Sequence, residues 1–294
     1  MPSLKAIRKR IASVRNTQKI TRAMKLVSAA KLRRAQNAMM ELRPYAAKHR
    51  ELLGTLAGMA LEQGETDIHP LMTARETVRV VGIIALSSDR GMCGGFNASI
   101  VKKTAEVVRE RRAAGQQVAV FTVGKRMSLA MRKQSVPLAQ DFGDIISCAA
   151  QVRVREITEA VVSRFLAGEL DEVVIVSNRF KSALNQIPTV FPLLPVPADA
   201  AEPGEAGGRV APFYEPSREA LLAYVVPRFV EVQVRQAILE SIAGEHAARM
   251  NAMSSATDNA NGMFQSLTLE MNRARQAAIT KELMEIIGGA EAMK

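Results

Sequence analysis

The fold is decided by residues 217–287, which read SREALLAYVVPRFVEVQVRQAILESIAGEHAARMNAMSSATDNANGMFQSLTLEMNRARQAAITKELMEII. Written in heptads from Leu222, this stretch places mostly apolar residues at two positions of every heptad. A stripe this long and narrow predicts one long helix that packs along a partner of similar length. The first position holds Leu222, Phe229, Gln236, Ala243, Met250, Thr257, Phe264, Met271 and Ala278, and the second holds Val225, Val232, Leu239, His246, Met253, Ala260, Leu267 and Ala274.

The partner is predicted at the other end of the chain, where an unbroken heptad frame runs from Leu4 to Leu56. Gln18, Thr21, Lys25 and Ser28 are polar residues at seam positions of this frame. Either they set the register of the helix pair, or this segment meets other chains as well as its partner helix. Two long helices at the ends of one chain predict an antiparallel coiled coil.

The middle of the chain has a different sequence pattern, in which short apolar runs alternate with helical segments. β-branched apolar runs at 78–86, 117–123, 172–177 and 187–194 predict buried strands, and helical segments at 97–114, 125–133 and 147–167 alternate with them. Such alternation predicts a Rossmann-like α/β domain with a mostly parallel sheet. The fold class expected is therefore mixed: a coiled coil of the terminal helices plus a central α/β domain.

These patterns divide the chain into five parts. We expect an amino-terminal coiled-coil helix over 1–62, a linker over 63–77, the α/β domain over 78–197, a loop and foot over 198–215, and a carboxy-terminal helix over 216–288 that Gly288-Gly289 ends. The last helix is the longer one. With Leu4 placed near Leu267, residues 268–287 project as an unpaired apolar tip that something should enclose.

The charge is concentrated in one segment. The chain has a formal net charge of +11, and residues 1–57 carry 14 Lys and Arg against Glu41 and Glu51. A helix this basic predicts an acidic surrounding, which nucleic acid, an anionic membrane surface or an acidic protein sleeve would supply. With no apolar run of about 20 residues, we expect a soluble protein. The two cysteines have no metal-ligand spacing and are expected to be reduced thiols.

No catalytic arrangement is evident. Gly91-Met92-Cys93-Gly94-Gly95 follows a strand and precedes a helix, but it matches neither common phosphate-binding glycine pattern, and a tight turn is the expected role. Three scattered histidines, His49, His69 and His246, do not form a triad with other residues. A basic nucleic-acid-binding coiled coil and a small α/β enzyme with a helical dimerisation arm remain as alternatives.

Several long motifs, in order, resemble the gamma subunit of the rotary ATP synthase. They are IASVRNTQKITRAMKLVSAAK at 11–31, SDRGMCGGFN at 88–97 and ARQAAITKELMEIIGG at 274–289, with shorter matches at 176–178 and 247–258. The resemblance covers essentially all 294 residues. It implies the rotor of the central stalk, which is non-catalytic, binds no cofactor itself, and lies at the cytoplasmic face of the bacterial inner membrane.

The resemblance also implies partners. They are three alpha and three beta subunits, the epsilon and delta subunits, and the membrane c ring; nucleic acid is not among them. Two departures are noted: residues 198–212 lack the cysteine pair of thiol-regulated members, and Pro227 is unexpected within the last helix. The expected contacts with the alpha/beta ring are Met24, Lys25, Arg249, Arg275, Gln276, Thr280 and Glu285, and those with the c ring and epsilon are Tyr214 and Glu215.

Overall fold

The computed structural model describes residues 4–62, 68–144, 150–197, 215 and 217–291. It confirms the expected fold class, with a long helix at each end of the chain and a sheet between them. The helices are α1 (Leu4–Glu62), α2 (Phe96–Ala113), α3 (Lys125–Lys133), α4 (Ala150–Leu166) and α5 (Arg218–Glu291). The strands are β1 (Val80–Leu86), β2 (Gln117–Val123), β3 (Leu138–Asp141), β4 (Glu172–Phe180) and β5 (Gln186–Leu194).

The chain forms two compact units. The smaller comprises Met1–Ala29 and Arg249–Lys294, and the larger comprises Ala30–Ala248. Each terminal helix contributes one part to each unit.

The larger unit is built on a five-stranded sheet with the order β3-β2-β1-β4-β5. β1 pairs in parallel with β2 and with β4, β2 pairs in parallel with β3, and only β5 runs antiparallel, beside β4. The central strands consist of β-branched and other apolar residues because helices cover both of their faces. This is the mostly parallel sheet that the sequence predicted.

Alternate residues of each strand enter two separate cores. Ile84, Phe121 and Ile175 pack with the end of α1, with α4 and with the first turns of α5. Ile83, Val120 and Val174 face the other way and pack with α2 and α3. The two-residue period of the strands thereby places one hydrophobic core on each side of the sheet.

The terminal helices also pack on each other within the larger unit. Leu42 and Ala46 of α1 form a cluster with Val232 and Leu239 of α5. Residues on both sides of Pro227, including Val226 and Phe229, are buried, and α5 continues through this proline.

The structure differs from the sequence prediction in two elements. β3 was not predicted because its four residues, LAQD, contain no β-branched side chain. The end of α5 at Gly288-Gly289 was predicted wrongly, since the helix extends to Glu291. Glycine lowers helix stability by only about 1 kcal/mol per residue, so a pair of glycines need not end a helix.

Candidate partner-binding surfaces

In the smaller unit, α1 and α5 run antiparallel in a single register. Gln18 Nε2 donates a hydrogen bond to Asn261 Oδ1, and the Thr21 and Thr257 hydroxyls lie 2.8 Å apart. Lys25 Nζ donates to Ser254 Oγ at 3.0 Å. The residue numbers of each pair add up to 278 or 279. Three of the four polar residues at seam positions of α1 therefore form hydrogen bonds with the facing helix.

This register corrects one expectation. By the same rule Leu4 faces residue 274 or 275, and not Leu267. Consistent with this, Ile7 is buried, whereas Leu267, Met271 and Ala274 of α5 are half-buried. Ala278 is still half-buried, and every residue from Ile279 to Ile287 is exposed. Counted from Leu4, where the described part of α1 begins, the part of α5 beyond the last facing residue starts about two turns later than Thr268.

The proposed tip contacts lie on this exposed part. Arg275, Gln276, Thr280 and Glu285 are all exposed, and Glu285 forms an ion pair with Lys281 one turn away. A surface ion pair of this kind contributes little to stability, so Glu285 remains available to a partner. The large apolar side chains beside them are 50 to 68% exposed, namely Ile279, Leu283, Met284, Ile286 and Ile287.

A second exposed apolar group surrounds Met24. Met24 and Lys25 are half-buried against α5, while Ile20, Leu26 and Val27 are 55 to 64% exposed. Isolated exposed apolar residues are ordinary, but a group of three on two turns of one helix is typical of a protein contact. The sequence left open whether Lys25 bonds the facing helix or another chain; in the structure it bonds Ser254.

Basic side chains surround these apolar groups. Residues 4–29 contain eight Lys and Arg and no acidic residue. The part of α5 in this unit, residues 249–291, carries five acidic and four basic residues, so the unit keeps a net positive charge that favours an acidic partner. The exposed cations on this part of α1 are Lys5, Arg8, Lys9, Arg10, Arg15, Lys19 and Arg22.

The three remaining expected contact residues are Arg249, Tyr214 and Glu215. Arg249 is only 8% exposed in the chain alone and presents little surface to another chain, and its expected contact with the ring stays a prediction. Tyr214 lies outside the described residues. Glu215 is exposed.

The glycine-containing loop after β1 binds the start of α3. Gly124, which precedes α3, has φ +97°, and a Cβ there would lie 2.3 Å from the Ser87 carbonyl oxygen. Asp89 Oδ1 accepts a hydrogen bond from Lys125 N, and Ser87 Oγ accepts one from Met127 N. The amides that a phosphate would need at this helix start are therefore bonded within the chain.

The same loop is closed at its other end by Asn97. Its Oδ1 accepts hydrogen bonds from the backbone N and the hydroxyl of Ser88, and its Nδ2 contacts Cys93 Sγ at 3.2 Å. Sequence reasoning predicted a tight turn here but missed these polar residues. The signal that was available is the recurrence of Ser, Asp and Asn around the glycines, since their side chains bond nearby backbone groups.

Asp141 anchors the far side of α3. Burial alone would raise its pKa, but hydrogen bonds from Ser128, Gly143 N and Thr122, together with the charge of Arg132, outweigh this and lower the pKa. Asp141 is thus held as a carboxylate that ties α3 to the sheet edge.

The described residues contain neither a metal-binding cluster nor a helix suited to cross a membrane. Within those ranges, no set of three or more His, Cys, Asp or Glu side chains is arranged to hold a metal ion. In the described helices, no segment has the length and apolar content needed to cross a bilayer.

The comparisons with known proteins agree with one another. A family model described as ATP synthase matches residues 3–293. The chain is 46% identical over 296 residues to an ATP synthase gamma chain of Anaeromyxobacter sp. (strain Fw109-5) and 45% identical over 295 residues to that of Geotalea daltonii, with 100% of both sequences covered in each case.

Solved structures show the same fold. A chain of the Euglena gracilis mitochondrial ATP synthase matches with a TM-score of 0.65 at 20% identity, covering 99% of this chain and 94% of that one. A central-stalk chain of the Tetrahymena thermophila enzyme matches with a TM-score of 0.60 at 24% identity, covering 81% and 99%. From the full-length sequence matches, we conclude that this chain belongs to the family of ATP synthase gamma chains.

Proposed function

We propose that this chain is the rotor of the ATP synthase central stalk and couples rotation of the membrane c ring to the conformational cycle of the alpha/beta catalytic sites. The observation that carries the proposal is the surface of the smaller unit. A stretch with eight cations and exposed apolar groups faces solvent in the chain alone. Burying this surface in a surrounding protein would remove its unfavourable exposure to water.

The proposed partners fit this surface. A ring of three alpha and three beta subunits encloses the smaller unit, with acidic groups opposite α1 and an apolar lining opposite the tip of α5. Met24, Lys25, Arg275, Gln276, Thr280 and Glu285 are its proposed contacts. Tyr214 and Glu215 are proposed to meet the c ring and the epsilon subunit, and the delta subunit belongs to the same complex.

The proposed role is mechanical. The chain binds no cofactor and carries out no chemistry; ATP is made and hydrolysed at the alpha–beta interfaces. α1 and α5 end at different levels and bear different side chains, so the surface that faces the ring is not symmetric. Turning such a surface inside a three-fold ring presents each catalytic site with a different face in succession. The proposed location is the cytoplasmic face of the bacterial inner membrane.

Co-purification tests the assignment. Tagging this chain should recover the alpha and beta subunits in a three-to-three-to-one ratio, together with epsilon and the c ring. The purified chain alone should have no ATPase activity, whereas the recovered complex should have it. Recovery of the chain without any alpha or beta subunit would contradict the proposal, and ATPase activity of the isolated chain would contradict its non-catalytic part.

The exposed cations of α1 also suit a second candidate, a nucleic-acid-binding coiled coil. Such a protein would bind DNA with an affinity that falls steeply as salt is raised. The chain has 4% aromatic residues, which leaves few side chains for stacking on bases. A mobility-shift titration of the chain with duplex DNA at two salt concentrations separates the two functions, and we expect no specific complex at physiological salt.

A further inference from the structure

Three successive polar layers occupy the seam of the smaller unit. They are the pairs Gln18–Asn261, Thr21–Thr257 and Lys25–Ser254, one for each turn of α1. Thr21 is buried and Lys25 is half-buried, so water does not freely replace their cross-helix bonds, whereas the Gln18–Asn261 bond is exposed. Polar layers in a seam lower stability relative to apolar ones and are best known for fixing register.

The two threonines form their cross-helix hydrogen bond only when they face each other. Thr257 Oγ1 lies 2.7 Å from the Met253 carbonyl oxygen, and Thr21 Oγ1 lies 3.1 Å from that of Gln18. Each hydroxyl has one proton, so one threonine donates to its own helix and the other donates across the seam. Both protons and the cross-helix acceptor are satisfied in this register.

The competing arrangement is a slip of seven residues confined to the smaller unit, which keeps both heptad frames there. It requires a local break in one helix, because Leu42 and Ala46 stay packed on Val232 and Leu239 in the larger unit. Such a slip places Thr21 opposite Phe264 in one direction or Met250 in the other. Each hydroxyl can still donate to its own helix, but the cross-helix bond is lost, which costs the net contribution of one hydrogen bond. The apolar seam residues discriminate less, because methionines such as Met253 and Met271 adapt to irregular gaps.

We propose that these three polar layers hold the register of α1 against α5 within the smaller unit and thereby position the two contact surfaces of that unit. A slip of seven residues would move the tip of α5 by about 10 Å along α1. Arg275 and Gln276 would then move by that distance relative to Met24. The inference concerns the helix pair itself, so it holds or fails independently of the proposed function.

The test replaces polar layers with apolar ones of similar size. The apolar variant of the full-length chain carries Thr21→Val, Thr257→Val, Gln18→Leu and Asn261→Leu. A matched control makes the same kinds of change outside the cross-helix layers, with Thr17→Val and Asn259→Leu. Thr17 Oγ1 bonds only its own helix in the structure, and Asn259 is exposed.

Disulfide formation reports the register. Cysteines at Ile11 and Thr268 face each other in the observed register, and cysteines at Ile11 and Arg275 face each other only after a slip. Both pairs are introduced into a background in which Cys93 and Cys148 are serine. The rates of cross-linking under mild oxidation are compared in the unmodified seam, the apolar variant and the control.

With the polar layers intact, and in the control, we expect the in-register pair to cross-link at least about tenfold faster than the slipped pair. In the apolar variant the two rates should come within about threefold, while the midpoint of thermal unfolding stays the same or rises. A purely structural role for the layers would instead lower the midpoint and leave the rate ratio unchanged. That result, or an unchanged ratio at any midpoint, would overturn the proposal.

If the apolar variant does not fold, the isosteric pair Thr21→Val and Thr257→Val supplies the same comparison. It removes only two hydroxyl groups from the seam. We expect its rate ratio to fall between those of the control and the four-substitution apolar variant, and a ratio equal to the control would count against the proposal.

Discussion

Replacing the exposed apolar side chains at the end of α5 should separate folding from assembly. Ile279, Leu283, Ile286 and Ile287 are 50 to 68% exposed in the chain alone. Changing all four to glutamine keeps a good helix former at each position and removes no buried group. The free energy of unfolding of the isolated chain should therefore change by less than about 0.5 kcal/mol for each substitution.

The effect on assembly can be worked out from the same exposures. Full burial of a large aliphatic side chain contributes about 1.5–3 kcal/mol, and about half of each side chain remains to be buried by a partner. Each side chain then contributes about 1 kcal/mol to binding. Four of them contribute about 4 kcal/mol, which is roughly a thousandfold in Kd.

The assay is a titration of immobilised alpha/beta complex with the purified chain, and unfolding of the isolated chain is followed by circular dichroism. The matched control changes Leu129 and Leu166 to glutamine. These two side chains are similarly exposed but lie on α3 and α4 of the larger unit. The control should leave Kd within about threefold. A quadruple variant that binds as tightly as the unmodified chain would refute the idea that the tip is enclosed by the ring.

Three further predictions concern the larger unit and the charge of α1. Gly124→Ala should lower the free energy of unfolding by more than about 3 kcal/mol in denaturant titrations, because its Cβ would meet the Ser87 carbonyl. The control, Gly115→Ala, at φ +78° in open space, should lower it by only about 1 kcal/mol. Equal losses in the two variants would contradict the packing described for the loop after β1. Asp141→Asn should cost on the order of 1–2 kcal/mol at pH 7. Because folding lowers the pKa of Asp141, its contribution to stability is present above the ordinary aspartate pKa and is lost as the pH falls through the folded pKa. The variant should therefore lose stability less steeply in acid than the unmodified chain. Parallel stability profiles in acid would contradict this. The rate of association with the alpha/beta complex should fall steeply with salt, and reversing three exposed cations of α1 should flatten that dependence; an unchanged salt slope would argue against an acidic partner.

The sequence predicted the terminal helices and the central strands because their signals are periodic and long. Heptads continued without a break from Leu4 to Leu56, and β1 and β2 are unmistakable apolar runs. β3 escaped prediction because it is held in place by its pairing with β2 rather than by its own residues. Local propensity carries little information about so short a strand.

The register of the helix pair could not be obtained from the heptads. A frame that repeats every seven residues is equally satisfied by each slip of seven, and estimates from helix lengths placed Leu4 near Leu267. The observed register depends on particular polar pairs, such as Thr21 with Thr257, that are recognisable only when the two helices face each other.

The expected contact residues differ in how exposed they are in the chain alone. Arg275, Gln276 and Thr280 are exposed, as a contact with another chain requires, whereas Arg249 is buried. For a charged residue beside the seam, the sequence does not show whether its side chain is buried or exposed. Contacts with other subunits remain predictions, since they depend on surfaces that this chain does not contain.

The most direct measurement is rotation of this chain within the assembled enzyme. The alpha/beta ring is fixed to a surface, a probe is attached to an engineered cysteine on α2 of the larger unit, and ATP is added. The account predicts continuous rotation of the probe in one direction, and its arrest when a disulfide joins the end of α5 to the ring. ATP turnover that continues at full rate with the chain locked in this way would contradict the account.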